Sequence, residues 1–71
     1  MDYVLVFRGI CILVGPFDYC HKFADRLREN LIKQGRQGVA DAEKIEIRHR
    51  LAADVIEFPK ELQSIRKEIG A

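Results

Sequence analysis

The feature that most constrains this chain is an apolar run in its first third, from Tyr3 to Val14, which ends at Gly15-Pro16. β-Branched and aromatic residues dominate the run, and Arg8-Gly9 is its only internal turn signal, so it predicts a β-hairpin of two short strands. Apolar side chains fall on both faces of that hairpin. Because one helix covers only one face of a small sheet, the second face needs another helix, a second copy of the chain or a different protein.

The pairing register of this hairpin has two alternatives. A two-residue turn at Arg8-Gly9 pairs Phe7 with Ile10. A three-residue loop with Gly9 in the left-handed conformation pairs Val6 with Ile10 and offsets the strands by one residue. Both registers leave two apolar faces, and with the two-residue turn the face opposite Phe7 becomes a candidate partner-binding surface. Its residues are Val4, Val6, Cys11 and Leu13.

The segment after the hairpin predicts an amphipathic helix over residues 18–34. Pro16 cannot continue a paired strand, and Asp18 can cap the helix. Apolar residues then recur at spacings of three and four, which predicts one face packed on the sheet. These residues are Cys20, Phe23, Ala24, Leu27 and Leu31. Gly35 is the expected helix end, within a polar loop over residues 34–39.

Residues 40–51 fit either a helix or a strand. The propensities of residues 40–44 favour a helix, whereas apolar and polar residues alternate from Lys44 to Leu51. We expect the strand, because the apolar residues would scatter around a helix axis but share one strand face. Pro59 suits a first helical turn and predicts a final helix over residues 59–69. The apolar stripe of that helix is Leu62, Ile65 and Ile69.

Together these elements predict a single small α+β domain over residues 1–71, in the order β-β-α-β-α. A right-handed crossover places the third strand beside the first, giving a small antiparallel sheet of order 2-1-3 with helix 18–34 packed on one face. The last helix is a thin cover for the second face, and which face it covers is left open. The hairpin is therefore both core and candidate interface.

Composition excludes several classes of protein. Apolar residues make up 48% of the chain, so it should fold, and the net charge of +1 provides no general attraction to nucleic acid or anionic lipid. The apolar run is interrupted by Arg8-Gly9 and follows no basic stretch, so neither a membrane span nor a secretory signal is predicted. Two cysteines are too few for a disulfide scaffold. We expect a cytoplasmic protein.

No pattern indicates catalysis or a cofactor. The soft metal ligands lack the short spacings of zinc modules; they are Cys11, Cys20, His21 and His49. A thiolate at Cys20 would lie in the first turn of a helix, but His21 points about 100° away from it and is poorly placed as a base. The sequence therefore predicts neither an enzyme nor a metal site.

One local basic feature supports an alternative function. On a strand, Arg48 and Arg50 project to the same side about 7 Å apart, a spacing that suits phosphates or carboxylates. With Arg36 and the basic residues of the last helix they predict, as the second alternative, a nucleic-acid-binding module.

The leading hypothesis is a small non-catalytic protein-interaction module that forms a homodimer or binds a larger partner. It rests on the two-faced apolar hairpin and on the lack of catalytic patterns. By analogy of size alone, such a chain is expected to be an accessory or inhibitor protein, of the kind that phages and mobile elements encode against host defence.

Overall fold

The computed structural model describes residues 2–51 and 56–69. Their elements are β1 (Tyr3–Phe7), β2 (Ile10–Gly15), α1 (Phe17–Ile32), α2 (Arg36–Ala42), β3 (Glu46–His49), a 3₁₀ turn (Lys60–Leu62) and α3 (Gln63–Glu68). The strands form an antiparallel sheet of order β2-β1-β3, and α1 packs on it. The predicted α+β class, the sheet order and the helix on one face are confirmed. The short helix α2 is an addition to the predicted order.

The hairpin turn follows the two-residue alternative. Arg8 and Gly9 have φ values of 54° and 76°, and Phe7 pairs with Ile10. Positive φ at both central residues is typical of a type I′ turn, whose twist matches that of the strands it joins. Gly9 adopts this conformation without strain, whereas Arg8 occupies it as an uncommon non-glycine residue.

A β-bulge interrupts the hairpin beyond this turn. Val6 pairs with Cys11, but Leu5 pairs with Leu13, so Ile12 is the extra residue on β2. A single inserted residue moves the rest of the strand to the other face. Leu13 therefore shares the face of Leu5 and lies in the main core, not on the second face where the regular register places it.

Helix α1 covers the sheet with the predicted stripe, since Cys20, Phe23, Ala24, Leu27 and Leu31 are all buried. The helix spans Phe17–Ile32, close to the predicted residues 18–34. Pro16 is the N-cap residue and no side chain caps the helix, so the predicted capping by Asp18 is wrong. Asp18 instead lies in the first turn, where a carboxylate interacts favourably with the helix dipole.

Helix α2 occupies part of the segment predicted as a loop. Helix α1 ends at Ile32, before the predicted Gly35, and Gly35, with φ of 91°, is the N-cap residue of α2. An added Cβ at Gly38 would lie 1.6 Å from the Leu31 carbonyl oxygen, so the two helix backbones are in close contact at this residue. Asp41, 6% exposed, accepts a 2.6 Å ionic hydrogen bond from Arg8. This bond ties α2 to the hairpin turn.

The last helix packs on the same side of the sheet as α1. Leu62 and Ile65 are buried in the core that contains Leu5 and Phe7, with Ile69 partly buried against it. An ion pair between Arg26 and Glu68 joins α1 to α3. The final helix therefore does not cover the second face of the sheet.

That second face is nevertheless closed to solvent around the central strand. Val4 and Val6 lie outside the core cluster, yet they are only 1% and 4% exposed. β1 therefore needs no partner chain to bury its apolar side chains on this face, contrary to the expectation from the sequence.

The contact at Gly38 predicts a strong effect of a very small substitution. Gly38→Ala must push α2 away from the Leu31 carbonyl, so we expect it to lower the free energy of unfolding by about 2–3 kcal/mol, measured by urea denaturation. Ala40→Ser, on the exposed side of the same helix, is the control and should cost less than about 0.5 kcal/mol. Equal effects of the two substitutions would contradict the close packing of α1 and α2.

Candidate interaction edge at strand β3

The two edges of the sheet differ in how they are covered. On the outer side of β2, Ile56 forms a parallel bridge with Cys11, and the Glu57 N–H donates to the Cys11 carbonyl at 2.9 Å. On the outer side of β3, no residue in the described ranges forms a bridge. Among the residues that the structure describes, β3 is therefore the open edge of this sheet, whereas β2 is bridged at Cys11.

The alternation of antiparallel hydrogen bonds identifies the free backbone groups of this edge. Arg50 donates its N–H to the Asp2 carbonyl at 3.2 Å, so the residues that face β1 along the strand are Arg50, Arg48 and Glu46. The intervening residues, Ile47 and His49, direct their N–H and C=O groups away from β1. These groups form the open edge, which lies on an exposed part of the chain.

One side of the β3 edge carries an aromatic cluster. The rings of His49 and Tyr3 lie 4.7 Å apart, Phe17 meets Tyr3 edge-on at 5.2 Å, and His21 lies 5.8 Å from Phe17. Phe17 is 47% exposed although it is fully apolar. We call Tyr3, Phe17, His21 and His49 the aromatic cluster. It places an accessible apolar surface directly beside the open edge.

The opposite side of β3 is charged, with both signs present. Arg48 lies 3.9 Å from the Glu46 carboxylate, and Arg50 lies 3.8 Å from that of Asp2. All of these side chains are about half exposed, so the pairs are solvated surface pairs that contribute little to stability. Along the strand this side carries one negative charge, at Glu46, followed by two positive charges, at Arg48 and Arg50.

The hydrophobic residues predicted to bind a partner lie mainly inside the chain. Val4, Val6 and Leu13 are buried, and Cys11 is partly exposed beside the bridge to Ile56. Three of the four thus offer almost no surface to a partner.

The predicted arginines are not all brought together. Arg50 lies beside Asp2, at the end of the sheet where α1 begins, and Arg48 is next to it along the same strand. Arg36 opens α2, which follows the other end of α1. The length of α1, about 24 Å for its 16 residues, separates the two places.

The residues examined for reactive chemistry do not form a reactive site. The Nδ1 atom of His21 lies 3.2 Å from the Asp25 carboxylate, so His21 is engaged along the helix surface. The Cys20 sulfur lies 3.7 Å from the carbonyl oxygens of both Tyr3 and Gly15, and its single S–H is shared between these two acceptors. No three His, Cys, Asp or Glu side chains in residues 2–51 and 56–69 are grouped so that they could hold a metal ion.

A cleft lies between the second half of α1 and the C-terminal segment. Its volume is about 280 Å³, and apolar core side chains such as Leu27 and Ile65 form its floor. Sites for small molecules usually measure roughly 300–1,000 Å³ and present several convergent polar groups. Arg8, the cationic side chain at its rim, is already bonded to Asp41. The cleft is therefore a weaker candidate for a binding site than the open edge.

No protein-family model, curated protein sequence or solved structure matches this chain. Of the helices that the structure describes, none combines the length and apolar character needed to cross a lipid bilayer.

Sequence reasoning identified the strand but not the role of Ile47 and His49. The alternation over residues 44–51 and the expected strand order 2-1-3 together place this strand at an edge, but they do not show which of its backbone groups face outward; that follows from the pairing with β1. The aromatic cluster had no sequence signal, because Tyr3, Phe17 and His49 come from separate segments that meet only in the folded chain.

The two cysteines are expected to differ in reactivity. Burial raises the pKa of the Cys20 thiol, against a smaller lowering by its bond to Gly15, and the thiolate is the reactive form. We expect a thiol reagent to modify Cys11 first, and to modify Cys20 in the Cys11→Ala variant much more slowly in the folded than in the urea-unfolded chain. Equal rates in the two states would contradict the burial of Cys20.

The raised pKa of Cys20 also predicts a pH dependence of stability. Because burial favours the neutral thiol, its contribution is complete below the unfolded-state pKa of 9.0 and is lost as the pH rises through the higher native pKa. We expect the free energy of unfolding to fall more steeply above that pH in the wild type than in Cys20→Ala. Parallel curves from urea denaturation at several pH values would contradict this assignment.

Proposed function

We propose that this chain is a small non-catalytic protein-interaction module, in which a partner chain adds a strand to β3. The observation that carries this proposal is the open edge, where Ile47 and His49 direct free N–H and C=O groups outward. An added strand gains main-chain hydrogen bonds from such an edge, and neighbouring side chains provide its specificity.

The surroundings of the edge support a protein partner. The aromatic cluster offers rings with apolar faces and polar atoms, a type of residue that is enriched in protein interfaces. Phe17 is 47% exposed, and the side chain of His21 is 55% exposed. A bound segment would pair with the β3 backbone and, at the same time, contact the rings of the aromatic cluster.

The role that follows is that of an accessory or inhibitor protein. Strand addition needs no catalytic group, and a small domain that occupies a surface of a larger protein can block or complete it. The Arg48 and Arg50 side chains favour this function over nucleic-acid binding, because each lies within 4 Å of a carboxylate of this chain. Phosphate contacts would have to displace these carboxylates.

Two substitutions at one position test the proposed edge. His49→Pro removes an outward N–H that makes no bond to β1, so the sheet should remain intact while strand addition is blocked. His49→Ala keeps the N–H and removes only the ring. Each immobilised variant and the wild type would be exposed to extract of the source cell, and the retained proteins quantified by mass spectrometry.

We expect the wild type to retain a specific set of proteins, His49→Ala to retain the same set with reduced yield, and His49→Pro to lose it. Circular dichroism of His49→Pro should show the native spectrum. Retention of the same proteins by a folded His49→Pro variant would overturn the proposal that β3 is the binding edge.

A further inference from the structure

We infer that a second copy of this chain can occupy the β3 edge, joined by antiparallel β3–β3 pairing about a two-fold axis. This inference rests on the proposed function and names the partner of the same edge. The two small sheets would then become one continuous sheet. Such a two-fold interface requires an edge that is complementary to itself, and the residues of β3 meet this requirement in one register.

The backbone restricts the possible registers. Only outward groups can bond across the new interface, and on β3 these belong to Ile47 and His49. In a two-fold antiparallel pair, Ile47 can therefore face Ile47, Ile47 can face His49, or His49 can face His49. Each choice brings different charged side chains opposite each other on the other face of the strand.

Charge distinguishes these registers. With Ile47 facing Ile47, Glu46 of each copy lies opposite Arg48 of the other. With Ile47 facing His49, Glu46 lies opposite Arg50 but the two Arg48 side chains lie opposite each other. With His49 facing His49, Arg48 lies opposite Arg50. Opposite charges across a strand pair stabilise it, whereas like charges destabilise it. Among the residues that pair in each register, only the first places no like charges directly opposite each other, and its Lys44 and Arg50 lie just beyond the last pair, His49 with Ile45.

The first register also gives favourable contacts on the other face of the strand and pairs its outward backbone groups. Ile47 packs partly against the core of its own chain, and at the axis it would lie next to its symmetry mate. The Ile47 N–H of each copy donates to the Ile47 carbonyl of the other, and the His49 N–H faces the Ile45 carbonyl. The Ile45 N–H is already bonded to Ala42 at 3.4 Å, so pairing stops there.

Charge exchange between Glu46 and Arg48 tests both the dimer and its register. Glu46→Arg and Arg48→Glu, each alone, place like charges opposite each other and should weaken the dimer roughly tenfold. An equimolar mixture of the two variants should form a heterodimer, because both pairs between positions 46 and 48 are then of opposite charge. The double variant Glu46→Arg/Arg48→Glu should dimerise like the wild type. Sedimentation velocity over a concentration series measures all four samples.

The outcomes separate this inference from the proposed function. A wild type that stays monomeric over the whole series would overturn the dimer, while the captured proteins of His49→Pro and His49→Ala would still test the edge as a site for another protein. A dimer that is unaffected by the single exchanges, or not restored in the double variant, would overturn the register with Glu46 opposite Arg48. Circular dichroism of each variant confirms that it is folded before the comparison is made.

Discussion

The structure depends on the double pairing of β1. This strand is hydrogen-bonded on one side to β2 and on the other to β3, and Leu5 at its middle is fully buried under α1. A strand in this position must satisfy its backbone on both sides and its apolar side chains on both faces. The remaining elements are placed around it, and the burial of Val4 and Val6 shows that its second face is also closed within the chain.

Because Val4 and Val6 are buried on the second face of β1, that face offers little surface to a partner, and the edges of the sheet are the better candidates for binding. The β2 edge is bonded at Cys11 to Ile56 and Glu57, whereas on the β3 edge Ile47 and His49 direct backbone groups outward without a bridge to any described residue. Natural sheets commonly protect such edges with charged residues, short strands or covering segments. Here the strand is short and carries Glu46 and Arg48, and the proposed pairing of two copies uses the opposite charges of these two residues.

Helix α2 shows how local preference is overruled by packing. A glycine inside a seven-residue helix is unfavourable by propensity, yet Gly38 is the residue that lets α2 approach the α1 backbone. The bond from Arg8 to the buried Asp41 then connects α2 to the hairpin turn. The segment that joins α1 to β3 is thus held at both ends of its short helix, which positions the strand that forms the open edge.

The sequence alone determined the elements whose side-chain periodicity is strong and local: the hairpin, helix α1 with its buried stripe, and the strand order. It could not determine the bulge at Ile12, because a single inserted residue leaves the apolar pattern of the run unchanged while it moves Leu13 to the other face. Nor could it predict α2 or the aromatic cluster, which depend on contacts between segments distant in the chain. The open edge was predicted only in part. Periodicity located the strand, but only the tertiary structure decided that, among the described residues, β2 is bridged and β3 is not, because that depends on where Ile56 and Glu57 pack.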